Sequence, residues 1–93
     1  MAMFAKTATR TVTVSNPTGL HARPSVAIAT TVRKYKSKVQ IRRDSQVVNA
    51  GEVLQLLTLG ASQGTKLTLT AKGPDAEEVL DALVVLFAGG FGL

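Results

Sequence analysis

The sequence contains no cysteine, no tryptophan and a single histidine. Without cysteine the chain can form neither a disulfide bond nor a thiolate metal site, which agrees with a reducing compartment. One histidine is too few for a metal centre built from several imidazoles. We therefore expect no bound metal and no cofactor, so that any chemistry rests on side chains and backbone groups.

Long hydrophobic runs are also absent. Residues 1–6 contain no sustained apolar segment of the kind that directs secretion, and no later run approaches the length that spans a bilayer. We therefore expect a soluble, cytoplasmic protein without a membrane partner. The 93 residues suffice for one hydrophobic core without a disulfide or metal, so residues 1–93 are predicted to form a single domain.

Acidic residues are scarce: six stand against eleven basic ones, which gives a formal net charge of +5. Much of the basic excess lies at Arg33, Lys34, Lys36, Lys38, Arg42 and Arg43. This cluster is either a patch for nucleic acid or an acidic protein, or a solvated helix end and strand face. The second interpretation is favoured because only Tyr35 offers a nearby ring, whereas proteins that bind single strands usually present several. We therefore expect no nucleic-acid partner, and a small RNA-binding module is a remote alternative.

The only histidine lies in the segment Gly19-Leu20-His21-Ala22-Arg23-Pro24, between a predicted strand and a predicted helix. Proline lacks an N–H and holds φ near the helical value, so Pro24 belongs in the first helical turn and His21 at or beside the N-cap. Free amides at the positive end of a helix form a site that suits an anion. The amides predicted to point toward the imidazole are those of Ala22, Arg23 and Ser25.

Two functions fit this segment. A free imidazole is mostly uncharged and nucleophilic at neutral pH, so His21 can take up a phosphoryl group and give it away again. The amides and Arg23 would then support the phosphate oxygens, and a small domain needs no metal of its own if its partner supplies one. Alternatively, His21 merely caps the helix and Arg23 is an ordinary solvated residue. The local pattern alone does not decide between them.

Hydrophobic periodicity predicts the element order β-α-β-β-α-β-α. Alternating apolar residues indicate strands near 10–14, 38–42, 46–49 and 67–71, with a tight Asp44-Ser45 turn between the second and third. Helices are indicated over 25–32 with Pro24 in the first turn, over about 52–59, and from the start at residues 73–75, with Asp75, Glu77 and Glu78 placed at the positive end of the last. The pattern fits an α+β fold in which a four-stranded, mainly antiparallel sheet carries all three helices on one face.

Finer expectations concern the helix faces and the tail. The first helix is predicted to present one apolar face formed by Ala22, Val26, Ala29 and Val32. In the second helix Leu54 falls off the stripe formed by Val53, Leu56 and Leu57, and is therefore a candidate exposed residue. The Gly-rich tail, residues 89–93, is predicted to be frayed.

The segment around His21 resembles the phosphohistidine site of the HPr family, the histidine phosphocarriers of the bacterial phosphoenolpyruvate-dependent phosphotransferase system. The similarity runs from about residue 11 to residue 87 and includes Val48-Asn49, residues 56–60 and Gln63-Gly64. It implies an open-faced β-sandwich with three helices on one face. It also implies a phosphoryl carrier that is covalently modified but is not a stand-alone enzyme.

The resemblance further implies a role for each residue of the site. His21 would accept the phosphoryl group at Nδ1 from enzyme I and pass it to an enzyme IIA-type domain. Arg23 would support the phosphate, and Pro24 would start the helix. The partner surface of the family would lie beside the site and include Val53, Leu54 and Leu57.

Two further features bear on regulation. Family members controlled by HPr kinase have a serine at the start of the second helix, where this chain has Glu52, so serine phosphorylation there is excluded. Glu52 either mimics a permanently charged state or simply caps the helix, and the second is favoured because a carboxylate suits a first turn. The tail at residues 86–91 resembles that of nitrogen-branch relatives, so sugar transport and a regulatory phosphorelay with regulatory protein partners both stay open.

Overall fold

The computed structural model describes residues 6–93. The predictions for the segment 1–6 and for a single domain over 1–93 include residues 1–5, which lie outside the described residues. Its elements follow the predicted order. The strands are β1 (Lys6–Thr13), β2 (Lys38–Arg43), β3 (Gln46–Asn49) and β4 (Lys66–Gly73), and the helices are α1 (Ala22–Arg33), α2 (Val53–Thr58) and α3 (Ala76–Ala88). A short 3-10 turn, Gly90–Gly92, follows α3. None of the helices within residues 6–93 combines the length and apolar character needed to cross a membrane.

The four strands form one sheet in the order β1-β4-β2-β3, and every neighbouring pair is antiparallel. Strands β2 and β3 are joined by the predicted two-residue turn, in which Asp44 takes a positive φ of 54°. Aspartate tolerates that left-handed conformation better than most residues. The α+β class and the antiparallel four-stranded sheet with three helices are thus confirmed.

One hydrophobic core lies between the sheet and the helices. Alternate strand residues, such as Ile41 and Leu69, point inward and are fully buried, as are Ile28, Leu56 and Leu83 from the three helices. Burying one such side chain stabilises the fold by about 1.5–3 kcal/mol, so this core fixes each helix against the sheet. The start of α1 is therefore held at a defined position relative to the strands.

The predicted core face of α1 is only half right. Ala29 and Val32 are buried, but Ala22 and Val26 are exposed, Val26 to 49%. The buried stripe instead passes through Pro24, Ser25, Ile28, Ala29 and Val32. Pro24 and Ser25 lie in the first turn of α1, which begins at Ala22, and they extend this buried stripe at helical spacing to the start of the helix.

The prediction of a frayed tail is wrong. Gly90 is buried, and the amides of Gly92 and Leu93 donate to the carbonyl oxygens of Gly89 and Gly90 at 3.1 and 3.0 Å. The Phe91 ring meets the buried Phe87 ring edge-on, with 4.9 Å between ring centroids. An aromatic pair of this geometry contributes beyond its buried area, so it holds the tail despite three glycines.

Candidate functional site

The site is built at the start of α1. His21 occupies the N-cap with an extended backbone, as the position of Pro24 predicted. Its carbonyl oxygen accepts the first hydrogen bond of the helix from Ser25 N–H, at 3.1 Å. The imidazole is half-buried, so it lies at the surface end of the helix and not in the core.

Two backbone donors are free beside this imidazole. Among residues 6–93 the N–H groups of Ala22 and Arg23 have no hydrogen-bond acceptor, and α1 has neither a side-chain cap nor an acidic residue in its first turn. The expectation of a third free amide, on Ser25, is wrong because that N–H already donates to the His21 carbonyl. The Ser25 side chain is itself fully buried. The helix start therefore offers two free donors at its positive end.

The two nitrogens of the His21 ring differ in accessibility. Nε2 is enclosed and has no hydrogen-bond partner within the described residues. Nδ1 makes no hydrogen bond to residues 6–93 either, but it is not enclosed in this way. Of the two ring nitrogens, Nδ1 is therefore the less enclosed one.

Arg23 provides a cation that the fold does not use. Its side chain is exposed and makes no ion pair or hydrogen bond with residues 6–93, whereas Arg10, Arg33 and Arg43 each contact a carboxylate or a carbonyl oxygen. A guanidinium can bind phosphate oxygens through two parallel N–H groups. Its position two residues after His21 makes it available to an anion at the helix start.

The loop before His21 is held from both sides. Gly19 has a φ of +68°, and a Cβ at this position would collide with the carbonyl oxygen of Ala61. Leu20 N–H donates to that same oxygen at 2.8 Å. On the other side the buried Asn16 amide donates from Nδ2 to the Gly19 carbonyl at 2.7 Å. Sequence reasoning missed Asn16, although Asn-Pro-Thr-Gly is the kind of segment in which an asparagine side chain supports a turn.

Several apolar side chains of α1 and α2, two helices that pack against each other, are exposed or only partly buried. Leu54 is 78% exposed, as angle counting predicted. Leu57 is also exposed, which corrects the predicted stripe: of Val53, Leu56 and Leu57 only Leu56 is fully buried. We call the set Ala22, Val26, Val53, Leu54 and Leu57 the α1–α2 apolar surface. A shallow depression on its α1 side is lined by Ala22, Arg23, Val26 and Ala27.

Glu52 occupies the N-cap of α2, but its side chain does not cap the helix. The carboxylate instead approaches Arg33, with 3.9 Å between Oε2 and Nη2. Both side chains are more than half exposed, so the pair contributes about 0–1 kcal/mol. The favoured interpretation of Glu52 as a side-chain cap is therefore wrong.

Chemically, the site joins an accessible imidazole nitrogen, two free amides and a free guanidinium. Within residues 6–93 no group of three or more His, Cys, Asp or Glu side chains could hold a metal ion. The amides are neutral and the guanidinium is cationic, so this set contains no anion. The arrangement is thus complementary to an anionic group at the helix start.

Comparisons with known proteins agree with this geometry. The family model for the phosphorylation site of the PTS HPr component matches residues 8–89. The phosphocarrier protein NPr of Klebsiella oxytoca is 36% identical over 86 residues, which cover 91% of this chain and 96% of that protein. The crystal structure of HPr-C-His from Thermoanaerobacter tengcongensis superposes with a TM-score of 0.89 at 38% identity, and covers 92% of this chain and 97% of that one.

A longer relative matches as well. The multiphosphoryl transfer protein of Haemophilus influenzae is 38% identical over 85 residues, or 88% of this chain. The chain spans only 17% of that relative's length. Similarity to it therefore concerns one part of a larger protein.

Proposed function

Because the chain belongs to the HPr family of the phosphotransferase system, we propose that His21 accepts a phosphoryl group at Nδ1 from enzyme I and transfers it to an enzyme IIA-type domain. Members of this family are phosphocarriers and not stand-alone enzymes. The observation that carries the proposal is the accessible Nδ1 at a helix start whose first two amides are free. The proposal includes a cytoplasmic location, since the donor draws on phosphoenolpyruvate, an intracellular metabolite.

In the proposed step the Nδ1 lone pair attacks phosphorus. The bond between phosphorus and the donor's leaving atom breaks, and its electron pair stays with the donor. The Ala22 and Arg23 N–H groups donate to the phosphoryl oxygens, and each hydrogen bond to a charged group contributes about 1.5–3 kcal/mol. In the onward step the Nδ1–P bond breaks, and its electron pair returns to the ring.

The α1–α2 apolar surface supports docking of both partners at the same place. A carrier must expose its modified residue to donor and acceptor in turn, so a shared surface next to His21 serves both contacts. The proposed contact residues on α2 are Val53, Leu54 and Leu57. Leu54 is highly exposed and does not belong to the core, so core packing does not explain its apolar side chain. The single core supports the further proposal that residues 1–93 act as one carrier domain.

A phosphorylation assay tests the proposal. The chain is incubated with enzyme I and phosphoenolpyruvate, and bound phosphate is measured before and after acid treatment, which hydrolyses phosphohistidine. We expect stoichiometric acid-labile phosphate on the wild type and none on His21→Ala. Uptake by the variant, or phosphate that survives acid, would contradict the assignment.

The role of Arg23 is tested in the same assay. Arg23→Gln should fold normally and slow uptake about tenfold, since the lost contact to a charged group is worth about 1.4 kcal/mol or more. Arg42→Gln is the matched control, because Arg42 is also exposed and lacks a partner among residues 6–93. Equal rates for the two variants would remove Arg23 from the site.

A second candidate function is a regulatory phosphorelay of the nitrogen branch. The similarity to NPr, which covers 91% of the chain, supports it as much as the similarity to HPr-C-His supports a transport role, because the two identities are 36% and 38%. The phosphorylated chain is offered separately to an enzyme IIA of the sugar type and to one of the nitrogen type. Transfer to the sugar type supports a transport role, whereas transfer to the nitrogen type alone supports the regulatory one.

A further inference from the structure

The face of the sheet that points away from the helices, here called the outer face, carries cations but no carboxylate. Within the described residues none of the four strands contains Asp or Glu. All six acidic residues lie in the β2–β3 turn, at helix starts or on α3. The outward positions are Thr7, Thr9, Thr11 and Thr13 on β1, Lys38, Gln40 and Arg42 on β2, Val47 and Asn49 on β3, and Lys66, Thr68, Thr70 and Lys72 on β4.

Two of these cations oppose each other directly. Lys38 and Lys72 are Cα partners in the β2–β4 register, and both are exposed. Like charges in directly opposed positions destabilise a sheet. Neither lysine forms an ion pair with any residue in 6–93, so the repulsion is not relieved within the described fold.

A third lysine joins the pair from the loop after α1. Lys36 is exposed and lies at the same end of the sheet. Asp75 also approaches this loop, but its carboxylate oxygens already accept from Lys36 N–H at 2.9 Å, Ser37 N–H at 2.8 Å and the Ser37 hydroxyl. That carboxylate is thus engaged by backbone and hydroxyl donors, and the three ammonium groups remain available.

The lysines line a groove of about 390 Å³ together with Gln40 and Thr70. This volume is within the range of small-molecule sites. The groove offers three ammonium groups, one amide and one hydroxyl, which are donors suited to phosphate oxygens. It is remote from His21, because α1 extends about 18 Å between that residue and the loop that carries Lys36.

We infer that this groove binds a small, multiply charged phosphate anion, such as a pyrophosphate or triphosphate group. A nucleic acid fits the outer face less well. Among the strand residues that the structure describes, the face has no aromatic ring for base stacking, and two of its three lysines lie together at one end. The anion would offset the repulsion between Lys38 and Lys72, so that a pair which costs stability in the free chain contributes binding energy in the complex.

The test is a titration of the full chain with tripolyphosphate at physiological ionic strength, in which binding is monitored through the chemical shifts of the backbone amides by NMR. Shifts should concentrate at residues 36–40 and 70–72. Lys38→Gln and Lys72→Gln should each weaken binding about tenfold, the scale of one hydrogen bond to a charged group. Lys66→Gln is the matched control: it removes the same charge from the same strand and face, about 20 Å away along β4, and should leave the affinity unchanged.

Thermal unfolding supplies a second measurement. Lys72→Gln should fold and be at least as stable as the wild type without ligand, and should gain less stability from tripolyphosphate. ATP is titrated in parallel: equal affinity would indicate that the phosphate chain suffices, and tighter binding that a nucleotide is preferred. Equal loss of affinity in Lys66→Gln, shifts centred on Ala22 and Arg23, or tighter binding of a single-stranded oligonucleotide would each overturn the inference.

Discussion

The starts of α1 and α3 solve the same physical problem in opposite ways. Each presents free amides and a positive dipole end. At α3 the chain supplies its own anions, with Asp75 at the N-cap and Glu77 and Glu78 in the first turn. At α1 it supplies none: the N-cap is His21, and the first turn lacks an acidic residue. The α3 start carries negative charges of its own, although no side chain caps its amides, whereas the α1 start is complementary to an anion that must come from outside.

The two starts are also held in place differently. Asp75 binds the loop after α1 directly, through Lys36 N–H, Ser37 N–H and the Ser37 hydroxyl. The start of α1 is held by packing around Gly19, against Ala61 and the buried Asn16. Positioning from outside leaves the α1 amides free, which a carboxylate cap would not.

The largest expected effect comes from the support of the α1 start. Gly19→Ala should lower the free energy of unfolding by about 1–2 kcal/mol for the positive φ and by about 1–3 kcal/mol more for the collision with the Ala61 carbonyl. Gly64→Ala is the control, because Gly64 also has a positive φ but no atom within 4 Å of the added carbon. Urea unfolding of both variants separates the two contributions. Equal losses would mean that the contact at Ala61 does not support the site.

The second effect follows from giving α1 the kind of anion that α3 has. Ala22→Glu places a carboxylate in the first turn, which should stabilise the helix by about 0.3–1 kcal/mol. It should also slow phosphoryl uptake by His21 at least about tenfold, because the carboxylate repels the incoming group and competes for its amides. Uptake is measured with enzyme I and phosphoenolpyruvate, and stability by urea unfolding.

Thr30→Glu controls for the added charge itself. Thr30 is exposed on the same helix, about 12 Å further along, which exceeds the screening length of about 8 Å at physiological ionic strength. This variant should keep the wild-type rate of uptake. If both variants slow uptake equally, net charge and not the helix start governs the reaction.

Much of this contrast could be predicted from the sequence, because it depends on local chemistry. Pro24 fixes the start of α1 and hence the N-cap position of His21, and the acidic residues after Pro74 mark the start of α3. The Ser25 amide is not free because the fourth amide after an N-cap already donates within the helix. The free state of the Ala22 and Arg23 amides follows from the same rule.

The features that could not be predicted depend on contacts between distant segments. The exposure of Val26 and Leu57 depends on how α1 and α2 pack, which helical periodicity does not specify. The same holds for the link from Asp75 to Ser37. Periodicity predicts which face of a helix is apolar, but tertiary packing decides how much of that face is covered.

A third, smaller effect concerns the acidic start of α3 and depends on pH. The Ser37 hydroxyl, followed by Lys36 N–H, lowers the pKa of Asp75 below its ordinary value by hydrogen bonding to the ionised carboxylate. Such a group contributes stability above its unfolded pKa and loses that contribution as pH falls through the folded pKa. Asp75→Asn should therefore be less stable than the wild type at neutral pH, and the difference should disappear in acid.

Unfolding free energies of the two proteins over a pH series check this prediction. Ser37→Ala is the companion variant, because it removes the largest cause of the lowered pKa but keeps both backbone donors. The pH dependence should be weaker in Ser37→Ala than in the wild type. A difference between Asp75→Asn and wild type that stays constant from neutral to acidic pH would contradict the ionic role. Phosphoryl uptake by His21 at neutral pH should not change in either variant.

The smallest effect is expected at the start of α2, which is intermediate between the other two. Like Asp75 at α3, Glu52 brings a carboxylate to the N-cap without capping the first amides, and its side chain approaches Arg33. Glu52→Ser should thus change stability by less than about 1 kcal/mol, since it removes an exposed ion pair and introduces a good N-cap residue. It should leave partner affinity nearly unchanged, because the contact residues proposed on α2 are apolar.

Calorimetric titration with enzyme I and an enzyme IIA domain measures this affinity. Arg33→Gln is the control, because it breaks the same ion pair from its other side. A strong rise in affinity for Glu52→Ser alone would contradict this prediction, because it would show that the carboxylate acts on the α1–α2 apolar surface as a permanent negative charge. The anion at the start of α2 would then have a function, as the anion at the start of α3 does.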